Sequence, residues 1–174
     1  MKLFGSRSSF GIEVGNIVDA SGHFTLNFHL REIHLNWADN QGYLGTVAHY
    51  FPNSSDERSY LSATTVPSGD SDEETLVAIL ALPDLWQYCR FRLGPVTDSF
   101  SLLVFRNETG VVLFGERNDG WDGDDPHLSD WNETMIPNGE IVHWLSVAVA
   151  TDEYLEVIDR ARQAILDLKK MSGL

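Results

Sequence analysis

The chain has 174 residues, with 26 Asp and Glu against 12 Lys and Arg, a formal net charge of −14 at pH 7. Hydrophobic residues make up 43% and aromatic residues 11%, too much apolar surface for a disordered acidic tail. Surplus negative charge repels the phosphate backbone of nucleic acids and attracts a basic partner. We therefore expect one globular domain over residues 1–174 that binds a protein rather than nucleic acid.

The sequence does not predict a membrane or secreted protein. Its longest uninterrupted apolar run, residues 76–82, is far shorter than the ~20 residues that cross a bilayer. The first residues lack the apolar core of a signal peptide, and Cys89 has no second cysteine with which to form a disulfide. These features favour a cytoplasmic protein with no membrane partner.

The first quarter of the chain carries strand patterns. Apolar and other residues alternate over 10–14, 24–30 and 33–37, as expected of strands buried on one face. Residues 19–22, with the sequence DASG, predict a turn between the first two. The segment 42–51 is compatible with a strand or a short helix, and we leave both interpretations open.

The middle of the chain predicts a connection followed by a helix. Residues 52–69 are rich in Ser, Pro, Thr and charged side chains, which is typical of a surface connection. Ser71 and Glu74 form a capping box ahead of the apolar run at 76–82. This pattern favours a helix, although a buried strand also suits the apolar run.

The second half of the chain is richer in strands. We expect strands at 88–93, 99–105, 111–116 and 141–150, with a hairpin turn at 107–110 between the second and third. Hairpins of this kind produce an antiparallel sheet.

The C-terminal segment predicts an amphipathic helix capped by Thr151 or Asp152. Apolar side chains recur at helical spacing at Tyr154, Ile158, Ala161, Ile165 and Leu168. Such a stripe must be covered, so we predict an α+β fold in which this helix packs on an antiparallel sheet of hairpin-connected strands.

Known catalytic and ligand-binding motifs are missing from the sequence. The six histidines form no metal-binding motif, and no glycine-rich phosphate-binding loop occurs. Cys89 lies among apolar residues and is expected to be an inert buried thiol, although Arg90 and Arg92 are close enough in sequence to favour a thiolate. We therefore predict neither a metal nor a cofactor, and no catalytic activity.

The acidic stretch at 119–133 admits several interpretations. A calcium loop is disfavoured because Pro126 occupies a ligand position, and a pair of catalytic carboxylates for glycoside hydrolysis would need a cleft. A solvated surface loop without a specific role is one alternative, and a partner-binding loop with tryptophan anchors is the other. The candidate contacts on the binding interpretation are Trp121, Asp122, Asp124, Asp125, Asp130 and Trp131.

A second acidic patch precedes the apolar run at 76–82. It consists of Asp70, Asp72, Glu73 and Glu74, which could also contact a basic partner. The alternative is that these residues form a solvated helix start, where acidic side chains favour the positive end of the helix dipole.

Three N-terminal segments carry a resemblance to a known family. Phe4-Gly5, FGIEV at 10–14 and GHFTL at 22–26 resemble the opening of bacterial immunity proteins of polymorphic toxin systems, nearest to the immunity protein 42 family. The resemblance covers mainly the first third of the chain. It implies a cytoplasmic protein that binds and neutralises a cognate toxin domain, without catalysis and without family site residues to transfer.

The leading hypothesis is therefore an acidic inhibitor of a toxin domain such as a basic nuclease. A hydrolase that uses the loop carboxylates is an alternative. A regulatory module whose charge serves only solubility is another, and in that case Trp121 and Trp131 should be buried against the core.

Overall fold

A computed structural model describes residues 1–36, 40–64, 69–83, 85–93, 97–117 and 128–173. These residues form two five-stranded antiparallel sheets and four α-helices. The α+β class and the helix packed on an antiparallel sheet are confirmed, with two sheets in place of the one expected.

The first sheet is built from the N-terminal residues. Its strands are β1 (Lys2–Gly5), β2 (Phe10–Val14), β3 (His23–Leu30) and β4 (Ile33–His34) in that spatial order, with β5 (Gln41–Tyr43) also paired to β3. The alternation at 10–14 and 24–30 correctly predicts β2 and β3. Of the strand expected at 33–37, the described residues 33–36 contain only the two residues of β4, and Trp37 lies outside the described residues.

Two turns of this sheet depend on local chemistry. The DASG turn forms as predicted, because the Asp19 carboxylate accepts hydrogen bonds from the backbone N–H groups of Ser21 and His23. Gly5 has a φ of +79°, and a Cβ there would lie 2.4 Å from the Phe10 carbonyl oxygen. Only glycine fits where β1 turns into the loop before β2.

The second sheet has the strand order β6-β7-β8-β10-β9. These strands are β6 (Cys89–Arg90), β7 (Phe100–Arg106), β8 (Val111–Arg117), β9 (Asn132–Met135) and β10 (Ile141–Val149). The Asn107 N–H donates to the Gly110 carbonyl at 3.0 Å, which confirms the hairpin turn between β7 and β8.

Two predictions for this sheet need correction. The strand expected at 88–93 is reduced to β6, because a 3₁₀ turn at Leu85–Tyr88 precedes it and Phe91 has a φ of 60°. Residues 132–135 form β9, where no strand was expected; the first two of them belong to the predicted acidic loop at 119–133.

Four helices complete the described fold: α1 (Leu44–Tyr50), α2 (Ser54–Ala63), α3 (Asp72–Leu80) and α4 (Thr151–Ser172). In the ambiguous segment 42–51, the first two residues are the end of β5 and residues 44–50 form α1. Residues 52–69 were expected to form a surface connection, and this is wrong for Ser54–Ala63, which form α2. The Asn53 side chain caps the first turn of α2 by accepting a hydrogen bond from the Asp56 N–H.

The capping box ahead of α3 is present. Ser71 Oγ accepts from the Glu74 N–H at 3.2 Å, so this segment is a helix and not a buried strand. The N-cap of α4 is Ala150, one residue before the expected Thr151, and its side chain makes no capping hydrogen bond.

The main core lies between the sheets and under α4, which packs on β1 and β2. A smaller core lies on the other face of the second sheet, where Leu76 and Ile79 of α3 cover Phe105, Phe114 and Trp144. Among the helices described, none is long and apolar enough to cross a membrane.

Candidate functional site

The predicted acidic loop is only partly described. Trp121, Asp122, Asp124 and Asp125 lie outside the described residues, so their predicted role stays a prediction. Asp130 is exposed and ends a 3₁₀ turn at Leu128–Asp130, immediately before β9.

Trp131 is not the exposed anchor that the sequence predicted. Its side chain is 6% exposed and belongs to the main core together with Leu145 of β10. The reason is the pairing of β9 with β10, which turns the residue before β9 toward the face that packs on the first sheet. The burial of Trp131 is what the regulatory-module interpretation expected of this residue.

The second predicted patch contacts the second sheet directly. Asp72 Oδ2 accepts a hydrogen bond from Ser146 Oγ of β10 at 2.5 Å, and Glu73 Oε1 accepts one from Thr134 Oγ1 of β9 at 3.1 Å. Thr134 Oγ1 in turn accepts from Trp144 Nε1 at 2.9 Å. The start of α3 is therefore fastened beside the β9–β10 hairpin.

Asp70 and Glu74 close the first turn of α3. Glu74 Oε2 accepts from the Asp70 N–H at 2.8 Å, while both residues remain exposed. These contacts agree with the alternative that the patch is a solvated helix start. They do not prevent the carboxylates from facing a partner.

The contact between α3 and β9 brings the two acidic segments of the sequence together. We call the exposed carboxylates of these segments the acidic surface: Asp70, Asp72, Glu73, Glu74, Asp130, Glu133 and Glu140. The acidic surface extends around the β9 edge of the second sheet, because α3 packs on the face opposite to the one from which Glu133 projects. Glu133 Oε1 lies 3.1 Å from His143 Nε2, and Glu140 accepts from the Asn138 side chain in the β9–β10 turn. Sequence reasoning missed Glu140, whose signal was its place in a Pro-Asn-Gly-Glu turn.

A different group of charges is buried beneath α2. Glu57 is fully buried and accepts hydrogen bonds from the Arg90 guanidinium and from Tyr154 Oη, the latter at 2.6 Å. Burial and the neighbouring Glu57 carboxylate raise the pKa of Tyr154 well above its ordinary value. The Arg90 guanidinium also stacks 4.4 Å from the Tyr60 ring centroid. This cluster joins α2, β6 and α4.

A second polar cluster lies on the face of the first sheet opposite the main core. Burial raises the pKa of Glu13, but hydrogen bonds from Arg7 and Asn27 outweigh it and bring the pKa to about 2. His29 Nε2 lies 3.3 Å from Glu13 Oε2, and the His29 and His34 rings are 5.1 Å apart. Burial, followed by the neighbouring His29, lowers the pKa of His34 to about 4.

A cavity of about 790 Å³ opens at the β6 end of the second sheet. Cys89, Ser101, Leu103 and Glu116 lie on the same face of the sheet at its wall. Burial raises the pKa of the Cys89 thiol, as expected of an inert side chain rather than a thiolate nucleophile.

Neither a metal-binding cluster nor similarity to known proteins assigns a role to any of these residues. Within the described ranges, no group of three or more His, Cys, Asp or Glu side chains is arranged to hold a metal ion. No protein-family profile, curated protein or solved structure matches this chain.

Proposed function

We propose that this protein binds and neutralises a toxin domain that has a basic surface, as an immunity protein does, and that the acidic surface makes the contact. The observation that carries this proposal is the meeting of two acidic segments, fastened by the Glu73–Thr134 hydrogen bond. A local excess of charge of one sign raises the rate at which an oppositely charged protein is captured.

The distribution of positive charge supports the same conclusion. No Lys or Arg occurs between Arg58 and Arg90, the segment that contains the start of α3, or between Arg117 and Arg160, the segment that contains β9 and β10. The surplus of carboxylates is thus concentrated in the two segments that meet at the acidic surface.

The choice of a toxin as the partner is supported by the N-terminal resemblance to immunity proteins. A basic nuclease is the partner whose charge fits best, because an enzyme that binds nucleic acid carries a cationic surface. Covering that surface with carboxylates would block its substrate.

The proposal is tested by titrating the protein with the toxin domain encoded by the neighbouring gene. Replacing Asp70, Glu133 and Glu140 together by Asn, Gln and Gln removes three charges from the acidic surface. We expect the association rate constant at low ionic strength to fall at least about tenfold.

A matched variant removes three charges elsewhere. Glu108 lies in the β7–β8 turn, and Asp152 and Glu153 begin α4; all three are at the opposite end of the second sheet from the β9–β10 turn. Neutralising them should leave the association rate within about twofold. Equal effects of the two variants, or no complex with the wild-type protein, would remove the proposal.

A further inference from the structure

We propose that Met135 and Ile141 form the apolar centre of the contact with the basic partner. This inference rests on the proposed function and extends it, because it assigns the stability of the complex to two residues outside the acidic loop. It also replaces Trp131, which the sequence suggested as an anchor and which is buried.

The β9–β10 hairpin extends past the described residues of the neighbouring strand β8. Glu116, the second-to-last residue of β8, pairs with Trp144 of β10. Strand β10 begins three residues before Trp144, at Ile141. Met135 is paired directly with Ile141 across the hairpin. Both residues therefore lie on the part of the hairpin beyond the end of β8.

Exposure rises steadily along one face of this hairpin. On β10, Leu145 is 2% exposed, the His143 side chain 21% and Ile141 49%. On the neighbouring strand, the Glu133 side chain is 63% exposed and Met135 70%. The face that packs on the core near Leu145 thus continues outward and ends in an uncovered apolar pair.

Two carboxylates flank that pair. Glu133 lies on the same face, two residues along β9 from Met135, and Glu140 directly precedes Ile141 in the turn. Arg117, at the end of β8, is separated from Glu133 by β10. An apolar centre with a charged rim is the usual arrangement of a protein–protein contact.

The two parts of such a contact have different kinetic roles. Exposed charges accelerate encounter but hold a complex weakly, since solvent and salt screen them. Apolar side chains that lose water on binding slow dissociation. Methionine suits this role because its flexible thioether adapts to an irregular partner surface.

The negative charge beside Met135 and Ile141 favours a basic partner over a second copy of this chain. A second copy of this chain would bring a like-charged rim and a net charge of −14 against the first, so self-association is opposed. A basic protein surface meets the rim with opposite charge, and the alkyl stems of its Lys or Arg side chains can cover Met135 and Ile141.

The test is a double variant, Met135→Gln with Ile141→Thr, measured against the same toxin domain by stopped-flow association and dissociation kinetics. Threonine keeps the β-branched shape at Ile141 and glutamine keeps the length of Met135, so the hairpin should be retained. We expect the dissociation rate constant to rise at least about tenfold, while the ionic-strength dependence of association is unchanged.

The control replaces two exposed apolar residues elsewhere, Ile17→Thr with Met171→Gln, and should dissociate as the wild-type protein does. Wild-type binding combined with unchanged dissociation of the Met135/Ile141 variant would overturn this inference and leave the proposed function standing. Absence of wild-type binding would remove both. Sedimentation of the free protein as a dimer that the double variant abolishes would assign the pair to self-association instead.

Discussion

The interior carboxylates and the acidic surface use the same chemical group in opposite ways. Glu57 has no exposed surface and is held by Arg90 and Tyr154, and Glu13 is held by Arg7 and Asn27. Glu133 and Glu140 are exposed, and their side chains contact a histidine ring and an amide in their own hairpin.

The difference separates stability from recognition. A buried carboxylate that loses its partner, or a partner that loses its carboxylate, leaves an uncompensated charge in a medium of low dielectric constant. An exposed carboxylate is solvated by water in the free protein, so the fold does not depend on its pairing. Substitutions in the two regions should therefore affect different measurements.

The largest effect on stability should follow Glu57→Ala. The substitution leaves the Arg90 guanidinium and Tyr154 Oη without their buried acceptor, so we expect the free energy of unfolding to fall by about 3–5 kcal/mol. Urea unfolding followed by tryptophan fluorescence gives this quantity. Glu156→Ala on the exposed side of α4 is the control and should change it by less than about 1 kcal/mol.

The next largest loss of stability should come from lowering the pH. The pKa of His34 is about 4 in the fold against an ordinary value of 6.5, so between these pH values the unfolded chain binds more protons. Stability is therefore lost as the pH falls from about 6.5 to 4. Glu13, with its pKa lowered from 4.5 to about 2, extends the loss below pH 4.5.

His34→Asn provides the matched comparison for this loss. Urea midpoints measured from pH 7 to pH 4 should fall less steeply for the variant than for the wild-type protein. Parallel pH profiles would show that His34 does not contribute.

A smaller effect should follow Ser71→Ala. The variant loses the hydroxyl that accepts from the Glu74 N–H at the start of α3, which costs about 1 kcal/mol at a typical N-cap. Because this turn presents four of the seven carboxylates of the acidic surface, association with the proposed partner should also slow. A variant as stable as the wild-type protein would contradict the role given to the cap.

The smallest effect on stability should follow neutralisation of the acidic surface itself. The Asp70→Asn, Glu133→Gln and Glu140→Gln triple variant should unfold within about 0.5 kcal/mol of the wild-type free energy, because surface substitutions have small effects of either sign. A much larger loss would mean that these carboxylates support the fold, as Glu57 and Glu13 do.

Much of the fold follows from local pattern in the sequence. The apolar stripe of α4 and the Ser71/Glu74 capping box predict helices that are present. Helix α2 was missed because only Glu57 and Leu61 of its residues are buried, so it carries no apolar stripe. Its detectable signal was the cap, Asn53 ahead of Asp56.

The candidate site was less predictable because it depends on distant contacts. Glu73 meets Thr134 across 61 positions, and Tyr154 meets Glu57 across 97. Trp131 has the residue type of a surface anchor, but the pairing of β9 with β10 decides that it is buried. Neither the Glu73–Thr134 contact nor the Tyr154–Glu57 contact produces a local pattern in the sequence.

The most direct test of electrostatic capture is the association rate constant of the wild-type protein with the toxin domain as a function of ionic strength. The acidic surface predicts a steep fall, about tenfold or more, as salt is raised from a few millimolar to the physiological range. An association rate that is independent of salt would contradict the claim that these carboxylates capture a basic partner.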